Sequence, residues 1–141
     1  KFNSKDGMGI KILQSLSIEL AIISGSNSSI IDRRADNLGI KIIEKAVQNK
    51  AEALENIQRK YNFNEEETLF LGDDVNDLSV LSKVGLFFTP SDGHKSCKRK
   101  ANFIGKSKGG NGFFREVSDR ILIAKNISPN KKFSSRNEFS D

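Results

Sequence analysis

Apolar residues in this chain follow two alternating patterns. Short, nearly unbroken runs occur at Leu20-Ala21-Ile22-Ile23, Ile40–Ile43, Thr68–Leu71, Gly85-Leu86-Phe87-Phe88 and Ala101–Ile104. Runs of that length bounded by turn residues read as buried strands. Between them, apolar residues recur at helical spacing. Met8, Ile12, Leu13 and Leu16 predict a helix over residues 7–17 with Asp6 as its N-cap. Ile30, Ile31, Ala35 and Leu38 predict a second, capped by Ser28 or Ser29 and closed by Gly39. Ala51, Leu54 and Ile57 predict a third from Lys50 to Tyr61. Asp77–Lys83 reads as a short helix, Pro90 stops the strand before it, and Gly109-Gly110-Asn111-Gly112 is a flexible loop before an amphipathic helix over Phe113–Ala124.

Strands alternating with helices predict an α/β fold with a doubly wound parallel sheet covered on both faces. One domain over residues 1–127 accounts for the pattern, with no internal repeat. The polar stretch 128–141 shows little periodicity and is expected to be a mobile tail.

Composition narrows the class. The chain has 141 residues, 36% of them hydrophobic, with a mean hydropathy of −0.46, and its longest apolar runs fall far short of the roughly 18 residues a membrane span needs. The polar N-terminus has no signal-like apolar core. Cys97 is the single cysteine, so a disulfide framework and a cysteine-based zinc site are excluded and a cytoplasmic setting is expected. The net charge of +5 is uneven: residues 1–94 carry 11 basic and 14 acidic side chains, whereas residues 95–108 carry six basic and no acidic ones. With Phe103 as the lone aromatic there, that stretch suits an anionic small molecule or a solvated face better than a nucleic acid, and a nucleic-acid-binding protein is the weakest of the functional readings.

Candidate chemistry gathers where apolar runs end. Leu69-Phe70-Leu71 gives way to Gly72 and then to Asp73, Asp74 and Asp77 within five positions. Ligands of open α/β sheets lie beyond the carboxyl ends of the strands, and clustered carboxylates there call for a cation, most naturally Mg²⁺. The same residues also suit a solvated turn that caps a helix. Ser24-Gly25 follows an earlier strand and Lys50 opens a helix after another. A hydroxyl with neighbouring backbone N–H groups, an ammonium and a carboxylate cluster together form a phosphate site, although each taken singly also suits an ordinary turn or an ordinary first-turn lysine.

This ordered set resembles the haloacid dehalogenase superfamily, with Ser24 matching its second motif, Lys50 its third, and Gly72-Asp73-Asp74 with Asp77 its fourth. Phe2 with Asp6-Gly7-Met8-Gly9-Ile10-Lys11, Arg33-Arg34-Ala35 with Leu38-Gly39-Ile40, and Gly109-Gly110-Asn111-Gly112-Phe113-Phe114-Arg115-Glu116 further resemble segments of its small capless group of 3-deoxy-D-manno-octulosonate 8-phosphate phosphatases. The resemblance implies a cytoplasmic, Mg²⁺-dependent phosphomonoesterase of lipopolysaccharide sugar biosynthesis. Its partner would be a sugar acid phosphate, with neither nucleic acid nor membrane, and it would assemble as a homotetramer. It implies metal ligation by Asp73 with support from Asp77, and catalytic roles for Lys50 and Ser24. Ser24, Gly25, Lys50, Asp6, Gly7, Asn76, Gly110 and Arg115 would contact phosphate or substrate.

Two departures qualify it. The family's D-x-D motif, which supplies the nucleophile and the acid–base carboxylate on a central strand, is absent. The chain is therefore expected to be an inactive fragment, first strand missing. Ser26 stands where the octulosonate group has Arg and a nine-carbon group has Glu, so a nine-carbon (acylneuraminate-type) 9-phosphate is an alternative substrate. A non-catalytic assembly module of an acylneuraminate cytidylyltransferase is a further alternative.

Overall fold

Capping chemistry and apolar spacing decide where the helices form. A computed structural model describes residues 4–125 of the chain, so the expected tail lies outside the described residues. The order is α1 (Ser4–Ser15), β1 (Ala21–Ile23), α2 (Ser29–Leu38), β2 (Ile42–Glu44), α3 (Lys50–Tyr61), β3 (Leu69–Leu71), β4 (Leu86–Thr89), α4 (Lys95–Lys100), β5 (Phe103–Ile104) and α5 (Phe113–Ala124). Ser28 caps α2 by accepting from the Ile30 N–H, and Gly39 ends it in the left-handed region at φ 73°. Asn49 caps α3 by accepting from the Glu52 N–H.

Several boundaries differ from expectation for local reasons. α1 begins at Ser4, so Asp6 lies inside its first turn instead of capping it. The Ile40 N–H closes the end of α2 on the Ala35 carbonyl, which delays β2 to Ile42. The segment expected as a helix from Asp77 is a 3₁₀ run, Val75–Lys83, capped by Asp74. A second 3₁₀ turn, Glu65–Glu67, and the basic helix α4 carry too few apolar residues to show in the periodicity.

All strand pairs are parallel, in two sheets: β1 with β2, and β3 with β4 and β5. Helices bridge them. On one face Leu54, Val80, Phe87 and Cys97 form a core that takes in Phe70 of β3 and Ile23 of β1. On the other, Phe88, Phe113 and Val117 pack with Leu69, Leu71 and Phe103, while Phe114 of α5 reaches the cluster of Ile10, Ala35 and Ile40 beneath β1 and β2. Alternate residues of β3 thus serve opposite faces, as the pleat requires. Each fully buried large side chain contributes about 1.5–3 kcal/mol.

Candidate active site

The carboxyl end of β3 is built around a glycine that nothing larger replaces. A Cβ on Gly72 would stand 2.7 Å from Asp77 Cβ and 2.8 Å from the Phe87 ring. The chain therefore folds back directly over the strand end. Asp74 caps the 3₁₀ run, and Asp77 answers from its third position in a capping box. Asp77, 3% exposed, accepts through Oδ2 from the Asp73 N–H at 2.9 Å and the Asp74 N–H at 3.1 Å. Its Oδ1 accepts from Lys50 Nζ at 2.6 Å.

Lys50 sits in the first turn of α3, where the helix dipole disfavours a cation; the buried carboxylate of Asp77 compensates. Asp73 reaches solvent, yet partial desolvation, followed by the charges of Asp77 and Asp74, raises its pKa against the opposing pull of Lys50. A carboxylate in that field takes up a proton or binds a cation more readily than an isolated one.

Ser24 is held through its backbone by β2 and the residues after it. Its N–H donates to the Glu44 carbonyl and its carbonyl accepts from the Val47 N–H, which ties the end of β1 to the loop leading into Lys50. The Ser24 hydroxyl oxygen accepts from the Ser26 N–H at 3.1 Å, leaving its proton to donate elsewhere. Gly25 between them is exposed.

The remaining expected site residues fall elsewhere. Asp6 is fully buried, and its carboxylate accepts from the Gly112 N–H at 3.3 Å and the Phe114 N–H at 2.9 Å. It caps α5, whose own N-cap residue, Gly112, has no side chain to do so, and this replaces the expected cap on its own helix. Gly7 faces α2, where a Cβ would lie 3.7 Å from Leu38 Cδ2. Arg115 pairs with Asp119 along α5 at 3.0 Å. Gly110 takes a φ of 73° in the loop, and Asn76 is exposed, its carbonyl accepting from the Ser79 hydroxyl. Lys50, Asp73 and Asp77 are therefore brought together directly, Ser24 and Gly25 lie against the loop that precedes Lys50, and Asp6, Gly7 and Arg115 are held by structural contacts.

The turn after β4, Ser91-Asp92-Gly93-His94, also meets this cluster. There the His94 N–H donates to the Asp73 carbonyl at 2.8 Å, and Asp92 accepts from the Gly109 N–H at 2.9 Å. Cys97 is buried, its Sγ donates to the Asp74 carbonyl, and burial raises its pKa, which leaves it an unreactive thiol. No group of three or more Asp, Glu, His or Cys side chains poised to hold a metal occurs among the described residues. A depression of about 180 Å³ between β2 and α3, lined by residues including Ile42, Ile43 and Lys60, lies apart from this cluster.

A model of the haloacid dehalogenase-like hydrolase family matches residues 23–117. The chain is 35% identical over 123 residues to the 3-deoxy-D-manno-octulosonate 8-phosphate phosphatase of Yersinia pestis, covering 87% of this chain and 66% of that protein, so it spans about two thirds of the length of the curated relatives it matches. Its structure is similar to the cobalt-bound phosphatase of that name from Haemophilus influenzae (TM-score 0.89, 32% identity, 96% of this chain and 81% of that one). It is also similar to the Moraxella catarrhalis enzyme in complex with magnesium ion, phosphate ion and 3-deoxy-D-manno-octulosonate (TM-score 0.83, 32% identity, 89% and 78%).

Proposed function

This chain belongs to the haloacid dehalogenase-like hydrolase family, and from that premise we propose that its protein is a Mg²⁺-dependent phosphomonoesterase acting on 3-deoxy-D-manno-octulosonate 8-phosphate. The observation that carries the reading is the cluster Lys50–Asp77–Asp73. It sets an ammonium on a buried carboxylate beside a second, electrostatically stressed carboxylate at the carboxyl end of a parallel strand.

The residues fit Mg²⁺. That ion is commonly held by one or two carboxylates together with substrate phosphate oxygens and water, and Asp73 is the carboxylate here that a cation would relieve of repulsion. Asp77 has both oxygens engaged, so it acts by orienting the Asp73 and Asp74 backbone and by aiming Lys50. Mg²⁺ would offset charge on the phosphoryl group as it transfers. Ser24 donates its hydroxyl proton to a phosphate oxygen, Gly25 lies exposed beside it, and Lys50 exchanges part of its contact with Asp77 for the phosphate.

The chemistry needs two more carboxylates, one to attack phosphorus and one to move a proton. We assign them to a further strand between β1 and β3. Its outer strands carry blunted edges: β5 is two residues long between Lys100 and Lys106, and β2 lies between Lys41 and Lys45. Such features suit edges that face water. β1 and β3, which form no ladder with each other, are wholly apolar, and Ile22, Ile23, Leu69, Phe70 and Leu71 are only half-buried. A further parallel strand carrying both carboxylates would give those side chains cover, and the 141-residue chain alone is expected to release no phosphate.

A second substrate, a nine-carbon keto sugar acid 9-phosphate, stays open because the exposed Ser26 is neither the Arg of the octulosonate group nor the Glu of the nine-carbon group. Specificity constants for the two esters, measured on the complete protein, decide between them. The complete protein is further read as a cytoplasmic homotetramer, which sedimentation equilibrium tests. No helix among the described residues is long and apolar enough to cross a membrane. The decisive experiment for the reaction class is Mg²⁺-dependent phosphate release by the complete protein. Turnover that survives Asp73→Asn at the wild-type rate overturns the assignment.

A further inference from the structure

The turn Pro90–His94 is bonded on two sides. On one, the His94 N–H donates to the Asp73 carbonyl at 2.8 Å. On the other, the Ser91 N–H donates to the Ser107 carbonyl at 3.0 Å, and the Asp92 carboxylate accepts from the Gly109 N–H at 2.9 Å. The turn is itself a closed unit. The Gly93 N–H donates to the Pro90 carbonyl, and Gly93 lies so close to Thr89 that a Cβ would stand 2.2 Å from its Oγ1. Displacement at one side is therefore passed to the other.

The loop over residues 106–112 is pinned through its backbone amides by carboxylates from three separate elements. Glu116 of α5 accepts from the Lys106 and Ser107 N–H groups, Asp6 of α1 from the Gly112 N–H, and Asp92 from the Gly109 N–H between them. Asp6 and Glu116 sit on packed helices. Asp92 is exposed and packs against no core, so its contact serves the loop and the turn alone.

We propose that Asp92 is a positioning residue that couples the glycine-rich loop carrying Lys106 and Lys108 to the Asp73 end of the site; this rests on the phosphatase reading above. A Mg²⁺–phosphate pair bound at Asp73 steadies the Asp73 backbone, the turn, and through Asp92 the loop. By reciprocity a steadier loop tightens the anion.

The test follows tryptic cleavage after Lys106 and Lys108 by mass spectrometry in the complete protein, with and without Mg²⁺ and inorganic phosphate. Cleavage after Lys11, within α1, reports global opening. Because such cleavage tracks the open population, loss of one charge-assisted hydrogen bond in Asp92→Ala should raise the loop rate about tenfold and leave the Lys11 rate unchanged. Mg²⁺ with phosphate should slow loop cleavage about threefold in the wild type, by a coupling of the usual allosteric size, and should have no effect in Asp92→Ala. Asp92→Asn keeps an Oδ1 acceptor and should retain the response. Equal loop rates in wild type and Asp92→Ala, equal protection of both, a matching rise after Lys11, or Asp92→Asn behaving as Asp92→Ala each overturn the proposal. Calorimetry separates the two readings. A wild type that binds no Mg²⁺ overturns the site and the coupling together. Mg²⁺ binding with no difference between variants overturns the coupling alone.

Discussion

Replacing Lys50 by Met tests the core of the site through stability, with no need for turnover. The Lys50 and Asp77 side chains are 14% and 4% exposed and their charged atoms lie 2.6 Å apart. Removing one partner of a buried pair leaves an uncompensated charge, at a cost of about 3–5 kcal/mol. Two effects reduce that figure here. Asp77 keeps its hydrogen bonds from the Asp73 and Asp74 N–H groups, and Met at the start of α3 removes a cation from the positive end of a helix dipole, a relief of about 0.3–1 kcal/mol. The expected loss is therefore about 2–3 kcal/mol, a large part of a total of roughly 5–15 kcal/mol. Urea unfolding of wild type, Lys50→Met, Asp77→Asn and the double variant measures it, with m-values required to agree. The double variant should lose at least 1 kcal/mol less than the two single losses added together, because neither charge is then left alone. A Lys50→Met loss below about 0.5 kcal/mol, or strict additivity, refutes the buried-pair reasoning.

Three further outcomes follow from the same structure. The raised pKa of Asp73 means that the folded state favours its protonated form, so its ionisation weakens the fold as pH rises from the ordinary carboxylate range through that raised pKa. Asp73→Asn should accordingly be at least as stable as the wild type at pH 7 in thermal melts and should lose any Mg²⁺-induced rise in Tm; a less stable variant with intact Mg²⁺ response contradicts this. Asp6→Ala removes the buried cap that joins α1 to α5 and should cost about 2 kcal/mol in urea, with Asp6→Asn losing less; no loss contradicts the cap. Gly9→Val places a Cβ 2.9 Å from Ser118 Oγ and 3.0 Å from Arg115 Cα at the α1–α5 contact and should lower stability by about 1–3 kcal/mol, seen as a lower Tm.

Periodicity carried most of the fold. Ile30, Ile31, Ala35 and Leu38 marked α2, and Gly39 ended it with the positive φ that a glycine allows. The apolar runs marked all five strands, though with ends displaced by a residue or two, because cap hydrogen bonds such as Ile40 to Ala35 take the first backbone groups. The basic helix α4 was invisible because Lys95–Lys100 holds one apolar residue, Cys97. That Lys50, Asp73 and Asp77 lie together was legible from their places at or after strand ends, since parallel topology sends every strand end to one rim. Asp6 was misjudged. An aspartate near a helix start reads as a local cap, and nothing in its neighbourhood announces that its acceptor role is directed to Phe114, 108 residues away.

Local chemistry written in the chain thus determined which segments are helix, which are strand, that the strands run parallel, and which side chains collect at their carboxyl ends. The tertiary structure alone decided how those side chains divide their bonds. It gave Asp77 to Lys50 and to two amides, Asp6 to the far helix, and Asp92 to the loop, and it left β1 and β3 without a mutual ladder. Secondary structure follows from contacts within a few residues, whereas the use of a carboxylate depends on which donors packing brings within about 3 Å, and those come from anywhere in the chain.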